Sequence, residues 1–296
     1  MADPAPSYRS GIAWLLADTT LVTAMTVLVK FEGQTYPAIQ LVFIRSLIGL
    51  LSILPLAWRK RRAVMETKRP LRHVFRVACN TIALTCNFYA LTVLPLALVN
   101  AIGFMRPLVM LLLAAWLLAE KIGMVRWIGT AIGFVGIIII LGPGEVSLSW
   151  GLAAALATVL FGSLAVIQIR AMASEDTAVL MVFYTVGLSV LTAVPAAFVW
   201  QEVALGDWPT LLAIGILAQV GQYCFLRAYQ STPAAILAPL GYLSIVFAAV
   251  AGFFFFDEIP GWTTLLGVIV ILVALQLTNV LENAALRRKA NAEAER

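Results

Sequence analysis

Apolar runs follow one another along almost the whole chain, separated by short polar breaks. They cover residues 11–30, 37–58, 73–93, 96–118, 123–142, 149–170, 177–200, 208–229, 233–256 and 261–281. Each is long enough for a helix across a hydrocarbon core, which takes about 20 residues for about 30 Å. Turn-forming segments such as LGPGEVSLSW (Leu141–Trp150) and QEVALGDWP (Gln201–Pro209) mark the breaks. The pattern predicts an all-α integral membrane protein of ten transmembrane helices with no separate soluble domain. RKRRAVMETKRPLR (59–72) is the only long polar loop, and the tail 282–296 reads as too polar to pack.

Composition agrees with that pattern. The 296 residues are 62% hydrophobic and 12% charged, with a mean hydropathy of +0.96, against about 25% charged in an ordinary soluble domain. The net charge of +5 would suit nucleic acid if it formed one patch, but it is distributed as a topology signal. Eight of the twenty basic residues lie between Arg59 and Arg76 and four more follow Glu282. With residues 1–10 on the cytoplasmic side, sixteen basic residues fall in inner segments and only Lys30 in an outer loop. Both termini are therefore expected in the cytoplasm, in a bacterial inner membrane. Asp18 inside the first apolar run argues against a cleavable leader.

The chain also contains itself twice. At an offset of 138 residues Cys86/Cys224, Ala90/Ala228, Pro95/Pro233, Ala97/Ala235, Gly103/Gly241, Glu120/Glu258, Gly123/Gly261, Gly129/Gly267 and Val135/Val273 coincide. Upstream the offset is 140, with Gly11/Gly151, Ala13/Ala153, Val42/Val182, Phe43/Phe183 and Pro55/Pro195 among the matches. Residues 11–142 and 149–281 thus form two five-span repeats. An odd number of spans turns the second repeat upside down, the plan of many secondary transporters with a substrate site between the halves.

Two pairs of segments carry a resemblance to a known family. Leu94-Pro95-Leu96-Ala97 matches Thr232-Pro233-Ala234-Ala235, and LLAEKIGMVRWIGTAIGFVGI matches FFFFDEIPGWTTLLGVIVILV. With the ten-span plan, these resemble the EamA family of the drug/metabolite transporter superfamily. The resemblance implies a helical basket around a central cavity. It also implies a small organic substrate, since such families include metabolite and amino-acid exporters, S-adenosylmethionine carriers and riboflavin importers.

Polar side chains deep in a span are costly in lipid and mark a partner or a substrate path. Trp14 and Asp18 share one face of span 1, Asn80 and Asn87 one of span 3, and Asn100, Gly103, Phe104 and Pro107 one stripe of span 4. Gln219, Gln222 and Tyr223 do so on span 8, while Arg45 and Arg106 lie near mid-span. Gly103 and Pro107 in span 4, with Pro239 and Gly241 in span 9, predict matched helix breaks that expose backbone groups. Phe104 and its repeat partner Tyr242 would give aromatic faces to a flat group. Asp18 reads either as a proton-coupling carboxylate or as half of an ion pair with Arg45 or Arg106. Two arginines against one acid imply a neutral to positive cavity.

In FFFFDEIPGW (Phe253–Trp262), the aromatics finish span 9 and Pro260 fits the first turn of span 10. Asp257 and Glu258 are expected at the positive end of span 10, with Glu120 at the equivalent junction. The sequence holds no HExxH, GxSxG or GxxxxGK[ST], and one histidine, His73. Intramembrane hydrolysis and ATP-driven pumping are thereby excluded. No metal or other cofactor is implied, and Cys79, Cys86 and Cys224 read as small buried residues. Gly129 and Gly133 allow close helix approach, within the fold or to a second protomer. The remaining readings are a carrier for a small metabolite, with a riboflavin-like vitamin or an amino acid as substrate, and a non-transporting membrane scaffold.

Overall fold

The computed structural model describes residues 8–59, 61, 69–106, 109–110, 112–113, 124–141, 149–172, 177–231 and 243–294. Among these residues it contains ten helices and no strand: α1 (Tyr8–Glu32), α2 (Ala38–Arg59), α3 (Pro70–Val93), α4 (Leu96–Gly103) and α5 (Met124–Leu141), then α6 (Trp150–Ala171), α7 (Thr177–Phe198), α8 (Trp208–Ser231), α9 (Leu243–Phe256) and α10 (Trp262–Ala294). Among the described residues, five stretches are long and apolar enough to cross a membrane: Ser10–Glu32, Ala38–Pro55, Pro70–Val93, Trp150–Gln168 and Val179–Phe198. Pro107, Glu120, Pro239, Gly241 and Tyr242, all singled out above, lie outside the described residues.

After residue 281 the chain continues α10 as helix to Ala294. The alanines, arginines, lysine and glutamates of this segment are strong helix formers, so helix can run on past the apolar stretch.

The outer surface is greasy and the interior small and tight. Leu54, Val74, Ile138, Val194 and Phe254 are exposed, while Phe88, Leu91, Leu96 and Ile102 are fully buried around α3 and α4. An apolar exterior of this extent belongs in lipid, where each buried hydroxyl must find a partner within the protein. Thr19, Thr158, Ser163 and Thr192 do so by donating to carbonyls four residues back in their own helices. Thr158 Oγ1 also lies 3.2 Å from the Ala83 carbonyl of α3.

The most extensive contacts pair α1 with α8, α3 with α6, α2 with α7 and α5 with α10, and α4 lies against α9. Glycines set the α5–α10 approach within the fold. A Cβ on Gly136 would fall 2.8 Å from the Gly267 carbonyl oxygen and 2.7 Å from Ile271, and Gly129 abuts Thr278. Gly136→Leu is expected to destabilise this pair by about 1–3 kcal/mol through overpacking, read as a lower melting temperature in detergent.

At the end of the bundle that carries Lys30, short connections are tied across the chain. Tyr36 donates its hydroxyl to Asp207 at 2.6 Å and accepts the Ala204 N–H, while Gln40 exchanges hydrogen bonds with the Gln201 backbone at 2.8 and 2.9 Å. The bond to Asp207 raises the Tyr36 phenol above its ordinary value of about 10. Its contribution to stability is therefore complete below pH ~10 and is lost as pH rises through the higher folded-state value.

Candidate substrate cavity

The site is organised by the end of α4. Pro95 starts the helix, whose regular hydrogen bonding gives way after Gly103: the Phe104 and Met105 N–H groups donate to carbonyls three residues back, at 3.1 and 2.9 Å. The result is a tightened, 3₁₀-like turn directly after Gly103. A Cβ on Gly103 would meet no atom of the described residues within 4 Å, so the turn opens onto space.

That space is a pair of adjoining cavities. The larger, of ≈ 340 Å³, is lined by residues that include Asn87, Asn100, Phe104, Arg106 and Thr158. The smaller, of ≈ 190 Å³, is lined by Asp18, Thr19, Thr23 and Phe225 among others. Val22, Thr26, Asn100 and Ser244 line both. The larger one alone is within the usual range for small-molecule sites, about 300–1,000 Å³.

The two charges in the cavity walls come from α1 and from the turn after α4. Each rests on a glycine of another helix. The Asp18 carboxylate lies 3.4 Å from where a Cβ on Gly221 of α8 would stand. The Arg106 guanidinium lies 3.5–3.6 Å from the equivalent point on Gly162 of α6. Neither Arg45 nor Arg106 pairs with Asp18, so the ion pair considered from the sequence is absent among the described residues. Both charged groups are left to face the cavity. Asn100 keeps one amide donor on the Leu96 carbonyl at 3.0 Å, which fixes its side chain beside them.

The structure gathers Asp18, Asn87, Asn100, Gly103, Phe104 and Arg106 around these cavities and puts other candidates elsewhere. Arg45 on α2 stacks over Phe88, 6.0 Å from the ring centroid, and Asn80 is half-buried on α3. Gln219 donates to Ser52 between α8 and α2, and Gln222 is exposed. Trp14 and Tyr223 make an edge-to-face pair at 6.0 Å between α1 and α8. Sequence reasoning missed Thr26, Thr158 and Ser244, whose small hydroxyl side chains carry little signal in an apolar helix. Their repeat partners give one. At the two offsets, Asp18 corresponds to Thr158, Asn87 to Phe225 and Arg106 to Ser244, and all six line the cavities.

Glu258 also lies differently from the sequence expectation. Its carboxylate goes to the start of α4, while α10 begins at Trp262. Asp257 takes a left-handed conformation (φ 54°), and the Glu258 N–H closes a seven-residue turn onto the Gly252 carbonyl at 3.0 Å. This helix-ending turn folds Glu258 back towards α4. One carboxylate oxygen accepts the Leu96 N–H at the start of α4, at 2.9 Å. The other accepts from Lys30 Nζ, at 2.5 Å, and Lys30 donates as well to the Leu94 carbonyl at 2.6 Å.

Comparison with known proteins decides the family. The model of the EamA-like transporter family matches residues 9–142 and again 148–280. The chain belongs to that family. As an EamA protein of the drug/metabolite transporter superfamily it is a membrane transporter, a secondary carrier and not an enzyme. It is 28% identical to an S-adenosylmethionine uptake transporter of Rickettsia bellii, over 98% of this chain and all of that one. It is 30% identical to a pseudopaline exporter of Pseudomonas aeruginosa, over 90% and 94%, and 27% identical to a riboflavin transporter of Rhizobium johnstonii, over 89% of each. A solved crystal structure shares the fold with a TM-score of 0.63 at 18% identity, covering 93% of this EamA chain and 97% of its own.

Proposed function

We propose that this transporter carries a zwitterionic, amino-acid-bearing metabolite, with S-adenosylmethionine as the specific candidate, by alternating access of two inverted repeats. The observation that carries the substrate reading is the pair Asp18 and Arg106: one acid and one base, each unpaired among the described residues, on adjoining cavities. A charge facing a low-dielectric cavity is costly until it meets its opposite. A substrate with a cationic amine or sulfonium at one end and a carboxylate at the other supplies both partners. S-adenosylmethionine has all three groups, and its adenine suits the faces of Phe104 and Phe225 and the amides of Asn87 and Asn100. The relative named for S-adenosylmethionine uptake spans nearly the same length. The riboflavin-like vitamin expected from the Phe104–Tyr242 pair leaves the two charges without partners.

Helix packing supports the inverted arrangement. Exchanging each helix for the one five further along turns the α1–α8 contact into α6–α3, α2–α8 into α7–α3 and α1–α9 into α6–α4, all of which occur. The pairs α2–α7, α5–α10 and α4–α9 map onto themselves. A two-fold relation between the repeats has this property, the odd number of spans in each repeat favours an axis in the membrane plane, and repeat-related residues line the cavities from both halves. Ten spans, both termini in the cytoplasm of a bacterial inner membrane and Lys30 at the outer end complete the proposal.

Purified protein in liposomes tests it. Labelled S-adenosylmethionine is expected to enter saturably in counterflow against unlabelled S-adenosylmethionine, and liposomes without protein to show none. Saturable counterflow of riboflavin with none of S-adenosylmethionine would overturn the substrate reading and leave the carrier reading standing.

A further inference from the structure

The contact between Lys30 and Glu258 is unusual for its place in the molecule. Thr26, Leu91 and Val99 line the larger cavity towards this end. About one helical turn further out come Lys30, Leu94 and Leu96, which are buried and cover it. Lys30 belongs to α1, Leu94 and Leu96 to the α3–α4 junction, and Glu258 to the connection between α9 and α10. Three segments from the two repeats therefore meet at two side chains. The Lys30 ammonium also lies 5.2 Å from the Phe256 ring centroid, and Gly252 leaves room for the carboxylate, since a Cβ there would stand 2.8 Å from Glu258 Oε2.

We propose that Lys30 and Glu258 are the latch that holds this end of the cavity shut, and that the pair must part each time the cavity opens there. The proposal rests on the alternating-access reading but not on any particular substrate. Three observations carry it. The contact bridges the repeats at the cavity mouth, whereas the Tyr36–Asp207 and Gln40–Gln201 ties sit on the connections flanking the α1–α8 and α2–α7 seams. Every partner of the pair can be replaced by water on opening: a backbone carbonyl, a backbone N–H, an ammonium and a carboxylate. Glu258 also caps α4, so the same movement that frees Lys30 frees the start of the helix whose far end forms the cavity turn. At the two repeat offsets the pair corresponds to Arg170 and Glu120, again one base and one acid.

The test uses a thiol introduced by Thr26→Cys, on the cavity wall one turn below Lys30. Membrane vesicles that expose the outer face receive a membrane-impermeant maleimide, and modification at this position is read by peptide mass spectrometry. No substrate is needed, so the outcome is independent of whether the substrate is correctly identified. Labelling is expected to be slow with the latch intact. Glu258→Gln or Lys30→Met should make it at least about tenfold faster, the scale of a lost charge-assisted hydrogen bond. Gly252→Ala should act in the same direction while keeping both charges, and Lys30→Arg should stay slow. Tyr36→Phe removes a bond at the same end away from the mouth and should leave labelling unchanged. Equal labelling in the parent, Glu258→Gln, Lys30→Met and Gly252→Ala proteins would overturn the latch. So would an acceleration by Tyr36→Phe as large as that by Glu258→Gln, which would show general loosening.

Discussion

Asp18→Asn is expected to lower S-adenosylmethionine transport about hundredfold while the protein folds and inserts normally. Asparagine keeps the shape of the side chain and its place against Gly221, and no basic side chain among the described residues pairs with Asp18. Stability therefore has nothing to lose, and removing an unpaired charge from an apolar bundle favours the folded state. What is lost is the anionic partner of the substrate's cationic end. A hydrogen bond to a charged group contributes about 1.5–3 kcal/mol, which reaches the hundredfold scale at its upper end. Counterflow and proton-gradient-driven uptake separate the two roles of this carboxylate. If Asp18 binds substrate, both fall together. If it carries only the coupling proton, counterflow survives and the pH dependence of uptake disappears. An unchanged rate with an unchanged pH dependence contradicts both.

Arg106→Gln is the second large effect, again about hundredfold on S-adenosylmethionine. Its signature is selectivity. 5′-Methylthioadenosine, which has the adenosine but neither amine nor carboxylate, should bind the parent and the variant equally weakly. Arg106→Lys should recover part of the loss, because it restores the charge without the planar fork that takes a carboxylate in two parallel bonds. Gly162→Ala should be nearly silent, since a methyl group 3.5 Å from the guanidinium makes an ordinary contact. If Arg106→Gln impairs methylthioadenosine binding as strongly as S-adenosylmethionine transport, the arginine shapes the cavity and does not read the carboxylate.

Much of the architecture is legible in the sequence because membrane insertion writes it in long, one-sided terms. Apolar runs give the helices, and matched glycines and prolines give the two repeats that the family model also finds. The candidate site is less legible. Helical spacing tells which residues of one helix share a face but not which neighbour that face meets. Trp14 and Asp18 share a face of α1, yet Trp14 packs on Tyr223 while Asp18 opens onto the cavity. Gln219 looked like a substrate group and instead holds Ser52. The Lys30–Glu258 contact joins residues 228 positions apart and depends on the left-handed turn at Asp257, which no local pattern announces. Repeat symmetry could have found part of the rest: comparing Asp18 with Thr158, and Arg106 with Ser244, points to the small polar residues that complete the cavity.

The central claim, that a cavity between two repeats reads both ends of a zwitterion, is tested most directly by competition in proteoliposomes. Counterflow of labelled S-adenosylmethionine is measured against excess S-adenosylhomocysteine, 5′-methylthioadenosine or riboflavin. S-adenosylhomocysteine, which keeps the amine and the carboxylate, is expected to compete strongly, and the other two weakly or not at all. Strong competition by methylthioadenosine or riboflavin with little from S-adenosylhomocysteine would contradict the account, because the cavity would then be reading a flat ring and not the opposed charges that Asp18 and Arg106 present.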